Sequence, residues 1–248
     1  MIELPFSYKN KNYSVTWSDE KLIKFFAFCQ HGKFMLNKSE SDFSIDDFSL
    51  IYPGVISNRL DFFEPVFDQL PANATVLNVG AGVGTLELVL SRVYNWKFYL
   101  VDKTSTSVLT KRNIKYYGSD GDDHGFYNSW EVLKDGIKSS GIDSDRFVML
   151  NPDDEWPNRV DLIMSSYSWG WHYPLNVYWD RALRLLSPET KVMLDILNTE
   201  HTEETIEEIN RIVGKVPVER FYTVTDTSRF KDQHMLRNGN SHGSNYYW

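Results

Sequence analysis

A glycine-rich turn between an apolar run and a helical pattern constrains this chain more than any other feature. In ATVLNVGAGVGTLELVLSRVYNWKFYLVDK (residues 74–103), the strand-like Thr75–Val79 leads into Gly80, Ala81, Gly82, Val83 and Gly84, and a helical pattern follows. Glycines at 80 and 82 admit positive φ and leave bare backbone against which a ligand can lie. The N–H groups opening the next helix lack intrahelical partners and favour a polar or anionic group. A second apolar run, Lys97–Val101, ends at Asp102, which lies 102 − 84 = 18 residues past the last glycine. A carboxylate there is placed to accept both hydroxyls of a ribose. Two common loops are excluded. Position 85 is Thr, so G-x-G-x-x-G is not met, and no GK[ST] marks a P-loop.

Beyond this unit, short apolar runs alternate with helical patterns, as in a parallel sheet covered by helices. The expected strands are Thr75–Val79, Lys97–Val101, Arg146–Leu150, Asp161–Ser165, Lys191–Leu197, Glu219–Thr225 and a last one near His234–Arg237. One helix is expected from a cap at Asn128, with Trp130, Leu133 and Ile137 on its apolar face and a stop at Gly141. Another is expected over TEETIEEINRIVGK from Thr202. Leu60, Phe63, Phe67 and Leu70 follow helical spacing, and Pro65 is expected to kink that helix or delay its start. Residues 1–58 do not fit the alternation. Their aromatic-rich pieces, including DEKLIKFFAFCQ as a helix, are expected to form an N-terminal helical cap on the substrate side of a domain at 59–248.

Composition narrows the function. The net charge of −8 argues against a nucleic-acid binder, which needs a basic face to displace counterions from phosphates. A single cysteine, Cys29 in FFAFCQ, excludes an intramolecular disulfide and a Cys-rich metal site, and it suits a reducing, cytoplasmic setting. The other candidate ligands, His31, His124, His201, His234 and His242, show no metal-ligand spacing, so no metal is expected. The DGDD run at 120–123 lacks the EF-hand pattern and reads as a solvated loop. No signal-peptide pattern opens the sequence and no window is long and apolar enough to cross a membrane, so no membrane association is expected.

The pattern xVLxVGxGxG, followed by a strand ending in an acid, resembles motif I and the acidic loop of class I S-adenosylmethionine-dependent methyltransferases. The resemblance covers about residues 60–248. It implies a Rossmann-like α/β fold: a seven-stranded, mostly parallel sheet in the order 3-2-1-4-5-7-6 with helices on both faces. It also implies S-adenosyl-L-methionine as cofactor and S-adenosyl-L-homocysteine as product. Carried onto this sequence, Gly80, Ala81, Gly82 and Gly84 form the loop at the methionine part, Asp102 meets the ribose and Lys103 lies beside the adenine. Asn151 or Asp153, after the third strand, is placed for the adenine amino group, and Ser165 ends the fourth strand at the same site. Asn78 stands where the family usually has an acid, which keeps a hydrogen-bonding group but loses charge. Pro188-Glu189-Thr190 replaces a Pro-Gly-Gly turn.

The fourth strand runs into Tyr167, Ser168, Trp169, Gly170, Trp171, His172, Tyr173 and Pro174. In open α/β sheets ligands sit outside the carboxyl ends of the strands, so this cluster is expected to face the reacting methyl group. Methyl transfer is an in-line displacement. It needs an aligned acceptor, exclusion of water and, for a hydroxyl acceptor, a base. His172 has two readings, a general base of near-neutral pKa or a hydrogen bond within its loop. Trp169, Trp171 and Tyr173 either wall an acceptor site or pack in the core. The segments KYYG, GFYNSWE and SWGWHYP resemble a bacterial methyltransferase group associated with surface polysaccharides. By analogy Tyr116, Tyr117, Phe126 and Tyr127 cover the adenine or shape the acceptor pocket. The expected function is O-methylation of a sugar or similar small polar metabolite. The alternatives are a binding or scaffold protein that keeps the fold without turnover, an N-methyltransferase, and an enzyme using another adenosyl compound.

Overall fold

The computed structural model describes residues 1–18, 20, 41–102, 130–166, 168–169, 176–198, 220–226 and 244–247. For 58, 62, 176, 195–198, 220–226 and 244–247 it describes the backbone alone. The chain opens with a hairpin, β1 (Ile2–Tyr8) and β2 (Lys11–Trp17). Its two-residue turn has Lys9 and Asn10 at φ 49° and 60°. Positive φ at both central residues matches the right-handed twist of the strands it joins. Ile2, Leu4, Phe6 and Tyr8 alternate inward with the period of a half-buried strand.

Helix α1 (Ile45–Phe67) follows, started by a reciprocal cap. Ser44 Oγ accepts from the Asp47 N–H, while Asp47 Oδ2 accepts from the Ser44 N–H. The helix therefore begins well before Leu60 and carries both Pro53 and Pro65 in its interior. Its buried stripe of Phe48, Tyr52, Ile56, Leu60, Phe63 and Phe67 holds it to the core despite the missing N–H donors, and it runs without a break through residues 58 and 59. The expected helix over DEKLIKFFAFCQ, with Cys29, lies outside the described residues, as does the one over TEETIEEINRIVGK.

The α/β part is built from β3 (Thr75–Val79), α2 (Thr85–Val93), β4 (Lys97–Val101), α3 (Trp130–Ser139), β5 (Phe147–Leu150), β6 (Leu162–Ser166), α4 (Asn176–Leu183), β7 (Lys191–Asn198), β8 (Arg220–Asp226) and β9 (Ser244–Tyr247). The sheet order is β5-β4-β3-β6-β7-β8-β9, parallel throughout except for β9 on β8. This is a Rossmann-like α/β arrangement. In chain order it reads 3-2-1-4-5-6-7, so the expected 3-2-1-4-5-7-6 is corrected at its far edge. The 199–219 connection is long enough for a crossover that brings β8 in parallel beside β7. The last described strand then folds back outside β8. It lies at Ser244–Tyr247, and His234–Arg237 falls outside the described residues.

Period-2 alternation sends the strand residues to two cores. Val76, Phe98, Leu100, Leu162 and Met164 face α1, α2, α3 and the hairpin. Leu77, Val79, Val101, Ile163, Val192 and Leu194 face α4 with Trp156, Trp169 and Trp179. Burial on both faces is what parallel strands require. The hairpin is a layer on the helices: β1 packs on α1, and β2 on α2 and α3. Thr16 N–H donates to Ser140 Oγ at 2.8 Å, and Trp17 meets Phe48 edge to face. Arg146 sits in a 3-10 turn just before β5 and donates to the carbonyls of Trp96, Ser91 and Tyr94, pinning the α2–β4 turn. Among the described residues no helix is long and apolar enough to cross a membrane.

Gly136 of α3 is a packing point between these layers. A Cβ there would lie 2.6 Å from both Leu88 Cδ1 and Trp17 Nε1. Overpacking costs about 1–3 kcal/mol, against a helix-propensity gain of about 1 kcal/mol. Gly136→Ala is therefore expected to lower stability by about 1 kcal/mol, read as a fall in the urea midpoint at unchanged m-value. A stabilised variant would show that hairpin and helices are not packed this tightly.

Candidate functional site

Chain order reverses on either side of β3: β4 and β5 lie on one side, β6 and β7 on the other. The crevice at such a switch point lies outside the carboxyl ends of the strands. Val79 delivers the chain to that place, and the glycine loop turns there into α2. Gly80, Gly82 and Gly84 have φ of 79°, 60° and 67°. These left-handed values favour glycine, because a Cβ would crowd the following carbonyl. The expectation of positive φ at Gly80 and Gly82 is met, and Gly84 shares that conformation.

Hydrogen bonds fix the loop to the neighbouring strand. Gly80 N–H donates to the Val101 carbonyl at 2.7 Å, and Gly84 N–H to the Ala81 carbonyl at 3.1 Å. Gly82 N–H donates to Asp102 Oδ2 at 2.6 Å. The acid singled out by its spacing thus lies against the middle glycine of the loop. Gly84 caps α2 with no side-chain hydrogen bond, so backbone groups alone open the helix. The Asp102 N–H donates to the Leu150 carbonyl at 3.1 Å, which sets the end of β5 beside it.

Asn151 and Asp153 are both exposed just past that point. The Asn151 backbone and side-chain amides donate to Asp154 Oδ2 at 2.7 and 3.2 Å. Arg181 of α4 stiffens the same turn. Its guanidinium donates to the Pro152 and Asp154 carbonyls and lies 4.4 Å from the centre of the Trp156 ring. Tyr178, one turn earlier on α4, feels both Asp102 and Asp153. Burial first, then these two carboxylates, hold its phenol above the usual range.

The end of β6 supplies the opposite wall. Ser165 is fully buried. Its hydroxyl donates to the Val79 carbonyl at 2.7 Å and accepts from the Trp169 N–H at 2.8 Å, latching the loop after β6 to the end of β3. Ser168 then lies so close to Gly80 that a Cβ on the glycine would fall 1.9 Å from its Oγ. Trp169 is fully buried, packed on Trp179 and Tyr178. Lys103, Tyr116, Tyr117, Phe126, Tyr127, Trp171, His172 and Tyr173 lie outside the described residues.

Two residues at the site escaped the sequence reading. Asn78 is buried, and its Nδ2 donates to Oε1 of Glu87, which is itself completely buried in the first turn of α2. Burial pushes the Glu87 carboxyl up to about 7, against its own backbone N–H, the Asn78 bond and the Arg59 charge, which pull it down. Arg59 reaches from α1 to donate to Ser166 Oγ at the end of β6. A signal for Glu87 was present: a lone carboxylate in TLELVLS, where the neighbours on every side are apolar or small. Arg59 had none, because its helix was placed too late in the chain.

The fold and the loop together define a Rossmann-like α/β domain with a glycine loop and an acid side by side at the switch point of its sheet. No protein-family model and no curated protein matches this sequence. Among solved structures, the chain is similar to the MycE methyltransferase from the mycinamycin biosynthetic pathway, in complex with Mg and SAH. Identity is 13%, coverage is 99% of this chain and 72% of that one, and the TM-score is 0.27. A likeness that loose carries no argument about this chain.

Proposed function

We propose that this protein is an S-adenosylmethionine-dependent methyltransferase acting on a small polar acceptor, a sugar or related metabolite, at oxygen. The observation that carries the reading is the contact between Asp102 and the Gly82 N–H beneath three positive-φ glycines at the switch point of the sheet. A ribose needs a carboxylate at the end of the second strand, and the adjoining part of the cofactor needs bare backbone and an open helix N-terminus. Gly80, Ala81, Gly82 and Gly84 would then line the methionine end and Asp102 the ribose. Lys103, Asn151 and Asp153 would stand around the base, with Asn78 and Ser165 supporting the loop from below.

His172 is the proposed general base, with Trp169, Trp171, Tyr173, Tyr117 and Tyr127 around the acceptor. The charge of −8 supports a small molecule rather than a nucleic acid as partner, and the single cysteine supports a cytoplasmic setting. Transfer of a labelled methyl group to a panel of sugars and phenols tests the activity. His172→Ala is expected to lower kcat by about 10²–10⁴-fold with cofactor affinity unchanged. Full activity in that variant would remove His172 from the chemistry. Cofactor binding without transfer to any acceptor would favour a binding protein, the reading that the missing charge at Asn78 keeps in view.

A further inference from the structure

Asn78 and Glu87 each use one side-chain atom on the other, Nδ2 on Oε1, and each keeps one buried oxygen, Oδ1 and Oε2, without a partner among the described residues. With Glu87 ionised both of these oxygens are acceptors, neither can satisfy the other, and each pays a desolvation penalty. A single proton on Oε2 changes this, because a carboxylic acid can donate and the Asn78 Oδ1 can accept. The pair would then be neutral and joined by two hydrogen bonds, with both orphan atoms satisfied.

We propose that Asn78 and Glu87 form a proton-held clasp, a neutral acid–amide pair that ties the end of β3 to the first turn of α2 across the glycine loop. Loss of the proton to solvent leaves one hydrogen bond and a buried charge, and the loop is then held less firmly. The pair brackets the loop: Asn78 lies two residues before Gly80 and Glu87 three residues after Gly84, and the two buried side chains are hydrogen-bonded to each other. Burial places the Glu87 carboxyl near 7, in the range where a modest pH change moves the proton. The charged group acting on it from a packed element is Arg59 of α1, which draws it toward the ionised form while donating to Ser166 on β6. On its own helix Thr85 is uncharged, Leu133 of α3 packs against Gly84, and Asp102 at the end of β4 is engaged with the Gly82 N–H. The clasp does not depend on which ligand the loop binds.

The sign of the pH effect follows from the raised pKa. Between the ordinary carboxyl value of 4.5 and about 7 the folded state holds the proton and the unfolded state does not, so the contribution present in full below 4.5 is lost progressively as pH rises to about 7. Glu87→Gln gives the control, since an amide–amide pair makes the same two bonds and cannot titrate. Relative to E87Q, the wild-type folded-to-unfolded ratio is expected to fall by up to about tenfold per pH unit from about pH 5 to 7, then level off. Infrared spectra of the wild type should show a protonated buried carboxyl at about pH 6 that titrates away near neutrality. That measurement stands even if E87Q does not fold. A pH-independent difference between the two proteins, or no protonated carboxyl at pH 6, would overturn the clasp.

Discussion

Gly80→Ala is expected to lower the unfolding midpoint by on the order of 10 °C and to abolish ligand binding at the loop. Two costs combine. A side chain at φ 79° costs about 1–2 kcal/mol in the left-handed region. The new Cβ would also lie 1.9 Å from Ser168 Oγ and 2.2 Å from Ser168 Cβ. Such an overlap is not relieved by a rotamer change, because the Cβ is fixed to the backbone. Overpacking of this kind costs about 1–3 kcal/mol. The two causes separate in a second variant: Gly80→Ala with Ser168→Gly removes the clash and keeps the backbone strain. Thermal unfolding should show the double variant recovering the steric part alone. If the single variant melts like the wild type, the loop and the end of β6 are not in the contact described.

Asp102→Ala carries the other large effect, and here the loss falls on binding. One carboxylate oxygen already accepts from the Gly82 N–H, so removal frees the loop as well as deleting the proposed diol acceptor. A hydrogen bond to a charged group contributes about 1.5–3 kcal/mol, so losing those to a ribose weakens binding by at least about a hundredfold. Asp102→Asn refines the test. Its amide oxygen still accepts from Gly82 N–H, which keeps the loop, while the charge and one acceptor position are lost. An Asn variant that is stable yet binds poorly would assign Asp102 to the ligand. An Asn variant that binds like the wild type would assign it to the loop alone.

Much of the architecture was readable in the sequence because one rule dominates it. Parallel strands buried on both faces are short apolar runs, and six of them were found to within about two residues of their observed ends. What escaped depends on partners distant in the chain. The hairpin shows clear alternation at Ile2, Leu4, Phe6 and Tyr8, but its turn is Lys9-Asn10, without the glycine that usually marks such a turn. The start of α1 is set by Ser44 and Asp47, while two interior prolines argue against the helix they sit in. The final strand order depends on which edge a short terminal segment finds, and alternation alone does not encode that.

At the site the same division holds. Gly80, Gly82, Gly84 and Asp102 stood out because their chemistry is written in local spacing, and the structure brings them together. Ser165, expected at the cofactor site from its place at the end of the fourth strand, uses its hydroxyl on the Val79 carbonyl and the Trp169 N–H. Glu87 and Arg59 enter only once α2 and α1 are docked on β3 and β6, since each meets its partner through tertiary packing rather than by neighbouring position.

The most direct measurement is calorimetric titration of the wild-type protein with S-adenosyl-L-homocysteine, run in parallel on Asp102→Ala. Saturable binding at one site per chain, weakened at least about a hundredfold in the variant, is the expected result. No binding to the folded wild type, or equal affinity in both proteins, would contradict the assignment of the glycine loop and Asp102 to an adenosyl cofactor.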